Sequence, residues 1–308
     1  MIKNIIITVF TSVCLLSCKP SNNHLDFNYY PNVEQNREIK NVRVALVLGG
    51  GGARGAAHAG VLEVLEKHNI PVDLIVGTSA GSIVGALYAD SKSASDVKEK
   101  ILSVSKWYFL DPALLPAIKW GLTTSGVVEG KRFQKFLEKN LDARNIEDLK
   151  IPAVFVATDI RKQDSFGFNK GAIIPGVIAS SAIPGVIPPL EIYNRVFTDG
   201  GLIEPVPVQM AKKYNPDLII AVDITIPPIM EEVKNTLDFV YWSFWLAYAE
   251  LGYVQGNMGD VTIRPELGGF GIFNDSKEDL EKMYLRGKEA AEKQIHLIKV
   301  KMKAKGIN

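Results

Sequence analysis

A serine flanked by glycines, in the segment Gly77-Thr78-Ser79-Ala80-Gly81, carries the residue types that covalent catalysis needs. It follows a short apolar run at residues 72–76 and precedes residues 80–89, whose apolar positions have helical spacing. A sharp turn from a strand into a helix presents a serine hydroxyl above the sheet edge, and only small residues fit beside it. The sequence therefore predicts that Ser79 is a nucleophile.

A glycine-rich loop, Gly49-Gly50-Gly51-Gly52-Ala53-Arg54-Gly55, lies between another predicted strand and helix. Successive glycines let backbone N–H groups converge on a phosphate or on an oxyanion formed during acyl transfer. The spacing also fits G-x-G-x-x-G, but a dinucleotide site needs an acidic residue about 20 positions on, at the end of the next strand. Asp73 stands at the beginning of that strand. The sequence therefore favours an oxyanion hole, for which we propose Gly50, Gly51, Gly52 and Arg54.

Three carboxylates follow predicted strands and are candidates for the general base. Asp199 stands in Thr198-Asp199-Gly200-Gly201, Asp159 follows Thr158, and Asp223 follows Val222. Asp and Gly are also good turn formers, so a tight turn alone explains the first of these segments. Spacing by itself does not choose among the three.

Four histidines are the alternative bases, because an ordinary serine triad needs one. His24 lies near the N-terminus and His68 near a helix end. His296 follows Ser79 and Asp199 in the order that α/β-hydrolases use. His58 stands just after the glycine loop, and we interpret it as a packing residue or as a hydrogen-bonding support of the site.

Strands and helices alternate along the part of the chain that carries these motifs. Apolar strand candidates occur at 42–48, 72–76, 153–157, 196–198 and Leu218–Val222, and helical patterns at Ala56–Lys67 and 80–89. This alternation predicts an α/β fold of three layers, a largely parallel central sheet with helices on both faces. Residues 42–308 are predicted to form one domain, closed by an amphipathic helix at 277–305.

Two apolar stretches, 107–122 and 237–254, stand outside this alternation. The second contains aromatic residues throughout a segment of helical length. Each is either a core or cover helix, or an apolar wall and interface-facing surface for an acyl chain.

The amino-acid composition excludes some classes of protein. The 308 residues include 35 Lys+Arg and 34 Asp+Glu, a net charge of +1, and 47% are hydrophobic. This balance excludes a disordered chain and argues against nucleic-acid binding through a broad basic field. Both cysteines lie within the first 18 residues, so the folded part has no disulfide framework and no cysteine-based metal site.

The N-terminus has the pattern of a secretory signal, with Lys3, an apolar run at 5–13 and then Leu15-Leu16-Ser17-Cys18. This run resembles a bacterial lipoprotein signal, which implies cleavage after residue 17, lipid on Cys18 and a location in the bacterial cell envelope. Residues 18–41 are then a tether. An uncleaved anchor or an ordinary signal peptide is the alternative.

Taken together and in order, the glycine loop, the Ser79 turn and Asp199-Gly200-Gly201 resemble the patatin-like phospholipases. Ala157-Thr158-Asp159, Ser180-Ser181-Ala182-Ile183-Pro184 and Pro205-Val206-Pro207 extend this resemblance over residues 42–210. It implies a Ser79–Asp199 dyad without histidine, an oxyanion hole from the glycine loop, and hydrolysis of acyl esters of lipids without metal or cofactor. Glu204 departs from bacterial relatives, which often carry Asn there, and we expect it to add a charge close to the dyad.

Two other functions compete with lipid hydrolysis. One is a carboxylesterase or thioesterase for small soluble esters, and the other is a nucleotide-binding module that uses the glycine loop as a phosphate cradle. Arg54 is expected to orient that loop or to contact a lipid phosphate, unless it is merely a surface residue at a helix start.

Overall fold

The computed structural model describes residues 37–103, 130–192, 194–227, 233 and 235–307. The predicted signal at 1–17, Cys18, most of the tether and the apolar stretch 107–122 lie outside these described residues. The strands are β1 (Val44–Leu48), β2 (Leu74–Thr78), β3 (Ala153–Asp159), β4 (Asp164–Phe168), β5 (Leu190–Ile192), β6 (Arg195–Asp199), β7 (Leu218–Val222) and β8 (Val261–Ile263). The α-helices are α1 (Ala56–Lys67), α2 (Ala80–Ser91), α3 (Ala94–Leu102), α4 (Lys131–Asn140), α5 (Ile173–Ser180), α6 (Val208–Lys212), α7 (Thr236–Gly256) and α8 (Lys277–Ala304).

The strands form one sheet along the hydrogen-bonded path β5-β6-β3-β2-β1-β7-β8, in which β2 and β6 pair with successive stretches of β3, and β4 also pairs with β3. The central pairings β3–β2, β2–β1, β1–β7 and β7–β8 are parallel. The pairings of β3 with β4 and β6, and of β5 with β6, are antiparallel. The predicted largely parallel sheet is confirmed, and one edge of it is antiparallel.

The side chains of β1 alternate between two hydrophobic clusters. Val44, Leu46 and Leu48 join the larger cluster with the helices α1, α2 and α8, whereas Ala45 and Val47 join a smaller one. Residues of α6 cover this second face. All five residues of β1 are buried, because a parallel strand inside such a fold is covered on both sides. The predicted three-layer α/β fold is therefore confirmed.

The C-terminal helix α8 packs directly on α1, and glycines make the close approach possible. A Cβ atom on Gly60 would lie 2.0 Å from the Tyr284 carbonyl oxygen, and one on Gly287 would lie 2.0 Å from the Ala57 carbonyl oxygen. The amphipathic helix predicted at 277–305 is confirmed, and it serves as the cover of the helix that follows the glycine loop.

The aromatic stretch predicted at 237–254 forms α7, which has two different sides. Trp245 and Tyr248 are buried, whereas Phe239, Val240 and Leu246 are exposed. The interpretation of this segment as a core helix therefore holds only for the side of α7 that carries Trp245 and Tyr248. No helix among the described residues is long and apolar enough to cross a membrane.

Three strands were not predicted from the sequence. The strand β4 has mostly exposed or half-buried residues, and β5 and β8 have three residues each, so they lack a long apolar run. The strand β2 ends at Thr78, two residues later than predicted, which brings its end directly against Ser79.

Candidate active site

Ser79 occupies the sharp turn between β2 and α2, with φ 53° and ψ −121°. A non-glycine residue at positive φ is strained, and such residues concentrate at functional sites. A Cβ atom on Gly77 would lie 2.5 Å from the Gly81 carbonyl oxygen, and one on Gly81 would lie 2.0 Å from the Leu48 carbonyl oxygen. The requirement for small neighbours, predicted from the sequence, is thus confirmed.

Two other serines hold this strained turn through its backbone. The Ser79 N–H donates to Ser180 Oγ at 3.0 Å, and Ser180 Oγ donates to the Val156 carbonyl oxygen at 2.6 Å. Ser82 Oγ donates to the Ser79 carbonyl oxygen at 2.7 Å. Neither role is predictable from local spacing, although Ser180 stands in the Ser-Ser-Ala-Ile-Pro segment that contributes to the family resemblance.

The sheet itself brings Ser79 and Asp199 together. The strands β2 and β6 lie on the same side of β3, because β4 occupies the other side. Since β2 is parallel and β6 antiparallel to β3, their carboxyl ends meet there: Thr78 pairs with Val156, and Asp199 pairs with the next residue, Ala157. The Ser79 side chain lies near enough to the Asp199 carboxylate to lower its pKa, against the larger effect of burial.

Asp199 is a buried carboxylate without a cationic partner among the described residues, and only 5% of it is exposed. Burial raises the pKa of Asp199 to about 6, although the hydrogen bond from the Gly201 N–H and the nearby Ser79 side chain oppose this rise. The Gly201 N–H donates to Asp199 Oδ1 at 2.8 Å. A carboxyl group with this pKa is a stronger base than an ordinary aspartate.

The two competing carboxylates are engaged elsewhere. Asp159 accepts from Arg195 Nε at 2.5 Å, and Asp223 accepts from Arg264 Nε at 2.8 Å. Each of these two carboxylates is therefore already paired with a cation. The structure therefore distinguishes Asp199 from both, which sequence spacing does not.

Some backbone N–H groups of the glycine loop donate hydrogen bonds within the protein, and others have no acceptor there. The Gly50 N–H donates to the Pro205 carbonyl oxygen at 2.9 Å, and the Arg54 N–H donates to the Gly51 carbonyl oxygen at 3.3 Å. Within the described residues, the N–H groups of Gly51 and Gly52 have no acceptor, and both residues line a cavity with Ser79. Of the four residues predicted for an oxyanion hole, Gly50 and Arg54 have amides that already donate elsewhere, and Gly51 and Gly52 have amides available to a bound group.

The Arg54 side chain ties the loop to two neighbouring segments. Its Nε donates to the Phe270 carbonyl oxygen at 2.8 Å, and its Nη1 donates to the Ile226 carbonyl oxygen at 2.6 Å. Only 3% of Arg54 is exposed, and burial lowers the pKa of its guanidinium. These contacts match the expectation that Arg54 orients the loop, and they exclude a surface residue.

His58 also supports the glycine loop, through a hydrogen bond to its backbone. Its Nε2 lies 2.8 Å from the Gly49 carbonyl oxygen, and burial lowers the pKa of His58 to about 4. The ring is therefore neutral at pH 7 and donates from Nε2, which confirms the supporting role expected of it. His68 contacts Glu292 and His296 is exposed on α8, whereas His24 lies outside the described residues.

The backbone of Glu204 lies beside the dyad, because its carbonyl oxygen accepts from Thr78 Oγ1 at 2.8 Å, but its carboxylate is bound elsewhere. Its carboxylate accepts from Ser165 Oγ at 2.6 Å and from the Met210 N–H at 2.9 Å. These contacts direct the charge towards β4 and the beginning of α6. Glu204 therefore supports the packing of α6, where it receives a first-turn amide.

Two pockets meet at Ser79, Gly52 and Ile183. The first is almost wholly apolar, and its lining includes Ile83, Val84, Ile101, Phe133, Ile187 and Leu280. The second contains Asp199, together with Leu202, Phe244, Trp245 and Tyr248. A group bound at Ser79 thus has an apolar space on one side and the carboxylate with aromatic residues on the other.

Residues 46–212 match the family model described as patatin-like phospholipase. The chain belongs to the patatin-like phospholipase family. It is 36% identical over 183 residues to patatin-like phospholipase domain-containing protein 6 of Homo sapiens, covering 59% of this chain and 13% of that protein. It is 34% identical over 192 residues to lysophospholipase NTE1 of Debaryomyces hansenii, covering 61% of this chain and 12% of that protein.

A solved structure shares the fold. VipD from Legionella pneumophila superposes with a TM-score of 0.51 at 14% identity, covering 86% of this chain and 69% of that chain. At this identity the likeness concerns the fold alone. The chain therefore corresponds to the patatin-like part of much longer relatives in sequence, and to a larger share of VipD in structure.

Proposed function

We propose that this protein is a serine acyl hydrolase that cleaves acyl esters of lipids with a Ser79–Asp199 dyad. The observation that carries the proposal is the placement of a strained, buried serine beside a desolvated carboxylate that has no cationic partner in the described part of the chain. The family supports lipid esters as the substrate class, and its relatives include a protein named lysophospholipase.

In the acylation step, Asp199 accepts the Ser79 proton while Ser79 Oγ attacks the ester carbonyl carbon. The carbonyl oxygen becomes an oxyanion, which accepts hydrogen bonds from the Gly51 and Gly52 N–H groups. Donors fixed in advance in a dry site stabilise this charge without reorganising, and losing one typically costs about 3–4 kcal/mol of barrier. The intermediate then releases the alcohol, which takes its proton from Asp199.

In the deacylation step, water replaces the alcohol beside Asp199. Asp199 takes a proton from this water as the oxygen attacks the acyl-enzyme, and Ser79 recovers its proton when the fatty acid leaves. The same carboxylate thus serves both half-reactions, and the protein is restored after each turnover.

The apolar pocket supports an acyl chain as the bound part of the substrate. Its walls come from α2, α3, α4 and α8, and its polar lining is limited to a few groups that include Ser181 and Asp275. An apolar chain gains free energy from leaving water for such a surface, whereas a nucleotide phosphate does not. This pocket favours the lipid hydrolase over the nucleotide-binding alternative.

We also propose that Cys18 carries a lipid anchor and that residues 18–41 tether the catalytic domain to a bacterial envelope membrane. The sequence pattern at 1–18 supports this proposal. The tether would keep the domain close to lipid substrate while leaving its pocket free to turn towards it.

The test combines active-site labelling with turnover on a lipid panel. The full chain should react with a fluorophosphonate probe and hydrolyse phospholipid or lysophospholipid esters. Ser79→Ala should abolish both, and Asp199→Asn should lower turnover by about 10⁴-fold, as loss of a triad carboxylate does. Ser91→Ala, at the end of α2, is the matched control and should behave as wild type.

Three outcomes would contradict the proposal. Labelling that persists in Ser79→Ala would move the nucleophile elsewhere. Wild type that binds nucleotide and does not label would favour the phosphate-cradle alternative, and turnover limited to short soluble esters would favour a general esterase.

A further inference from the structure

Tyr248 of α7 reaches the centre of the candidate site. A Cβ atom placed on Gly50 would lie 2.2 Å from the Tyr248 hydroxyl oxygen and 3.1 Å from Ser79 Cβ. A Cβ atom on Gly201 would lie 2.2 Å from the Tyr248 ring. The phenol therefore fills the space between the glycine loop and the Asp199 turn, and only glycine at both positions allows it to come so close.

The Tyr248 hydroxyl is a neutral donor in a largely buried residue. Only 8% of Tyr248 is exposed, and its hydroxyl makes no hydrogen bond within the described residues. Burial and the negative charges of Asp199 and Asp223 hold the pKa of Tyr248 well above its ordinary value, against the opposing effect of Arg54. A phenol hydroxyl at this place can donate a hydrogen bond to a group bound in the pocket.

The two pockets indicate where the acyl chain and the alcohol of an ester lie relative to Ser79. Asp199 lines only the aromatic pocket, and it must protonate the departing alcohol, so the alcohol leaves on that side. The acyl chain then occupies the apolar pocket. Tyr248 lines the pocket on the alcohol side, next to Asp199.

We propose that Tyr248 is a further catalytic residue, whose hydroxyl donates a hydrogen bond to the leaving-group oxygen of the ester. This inference rests on the proposed function. Negative charge grows on that oxygen as its bond to the acyl carbon breaks, and the phenol stabilises the charge until Asp199 delivers the proton. The hydrogen bond is strongest when the charge is largest, which lowers the barrier more than it strengthens substrate binding.

A leaving-group comparison separates this role from packing. Tyr248→Phe keeps the ring and removes only the hydroxyl. Values of kcat/KM are measured for an alkyl ester and a p-nitrophenyl ester of the same fatty acid, because kcat/KM reports acylation for both. An alkoxide needs stabilisation and p-nitrophenolate does not, so we expect a fall of about 10- to 100-fold for the alkyl ester. For the p-nitrophenyl ester, kcat/KM of Tyr248→Phe should stay within about threefold of the wild-type value, because p-nitrophenolate leaves readily without a hydrogen bond from the phenol.

Tyr88→Phe is the matched control. Tyr88 is also buried, on α2, and its hydroxyl interacts with Glu66 outside both pockets. This variant should keep the wild-type ratio between the two esters, even if its melting temperature changes.

The outcomes are distinct. An equal fall for both esters, or no fall for either, would overturn the leaving-group role of Tyr248. If wild type hydrolyses neither ester, the proposed function itself fails, and this result is recognised before any variant is compared. If Tyr248→Phe does not fold, Tyr248→Leu, which also removes the hydroxyl and keeps an apolar side chain, should reproduce the selective loss on the alkyl ester.

Discussion

Asp199 shows how one residue is set apart by what surrounds it. Its pKa of about 6 lies above the ordinary value of 3.8 because the site is buried. A raised carboxyl pKa contributes stability that is complete below pH 3.8 and is lost as pH rises through 6. At neutral pH the fold therefore tolerates an ionised, unpaired carboxylate that weakens it. Such a cost is expected where a residue is selected for chemistry rather than for stability.

This pKa predicts the acid limb of the activity profile. Because Asp199 must be deprotonated to accept the Ser79 proton, kcat/KM should fall tenfold per pH unit below about pH 6. His58, with a pKa of about 4, stays neutral over most of this range. Initial rates between pH 4.5 and 8 on a soluble ester measure the limb. An unchanged limb in the residual activity of Asp199→Asn would assign the titration to another group.

At the residue scale, the sequence could predict Ser79 and the glycine loop because a sharp turn and a nest of amides each need local residue types. It could not choose Asp199 over Asp159 and Asp223, because the difference lies in the arginines that two of them contact. Those partners, Arg195 and Arg264, are 36 and 41 positions away. Tyr248 was likewise hidden within an aromatic stretch that suited several roles.

At the scale of elements, the strand β3 sets the positions of Ser79 and Asp199, because both β2 and β6 pair with it. Its residues Val156 and Ala157 receive the ends of β2 and β6, so the register of both pairings fixes the distance between Ser79 and Asp199. The alternation of strands and helices predicted the parallel centre of the sheet. It could not predict that β6 runs in the opposite direction, because strand direction depends on the partner and not on the strand's own apolar pattern.

The packing of the turn on β1 predicts a large effect of one methyl group. Gly81→Ala places a Cβ atom 2.0 Å from the backbone oxygen of Leu48, which cannot move aside without disturbing the central strand. We expect a loss of about 2–4 kcal/mol in the free energy of unfolding, with activity reduced in parallel. Denaturant titrations of the variant and of wild type measure it.

Gly268→Ala is the control for this prediction, since a Cβ atom there meets nothing within 4 Å. It should change stability by no more than about 0.5 kcal/mol. A Gly81→Ala protein as stable as this control would mean that α2 and β1 are not packed as closely as described.

At the scale of the whole molecule, two features bear on how the domain meets lipid. The net charge of +1 gives little general attraction to an anionic surface. The outer side of α7 exposes Phe239, Val240 and Leu246, and residues 239–249 contain no charged side chain. The same helix lines the pocket through Trp245 and Tyr248.

The proposed anchor predicts where the protein is found in a bacterial host that processes lipoproteins. Wild type should sediment with membranes, and Cys18→Ser should move most of it out of that fraction, because the variant lacks the thiol that would carry the lipid. Fractionation followed by immunoblotting measures the shift, with Ser91→Ala as the control. Cys18→Ser protein that stays in the membrane fraction would argue against lipid on this residue. Release of that protein by the further change Leu246→Asp would then assign the contact to α7.

The pairing of β2 and β6 with β3 also determines when the site can form during synthesis of the chain. Ser79 and Asp199 are 120 positions apart in the chain, and translation proceeds at about 5–20 residues per second, so the base follows its nucleophile on the order of ten seconds later. Until β6 pairs with β3, an emerging chain holds a serine with no base. On the dyad mechanism, an unfinished molecule cannot attack the lipids of the cell that makes it, because the hydrolase becomes reactive only once its sheet is complete.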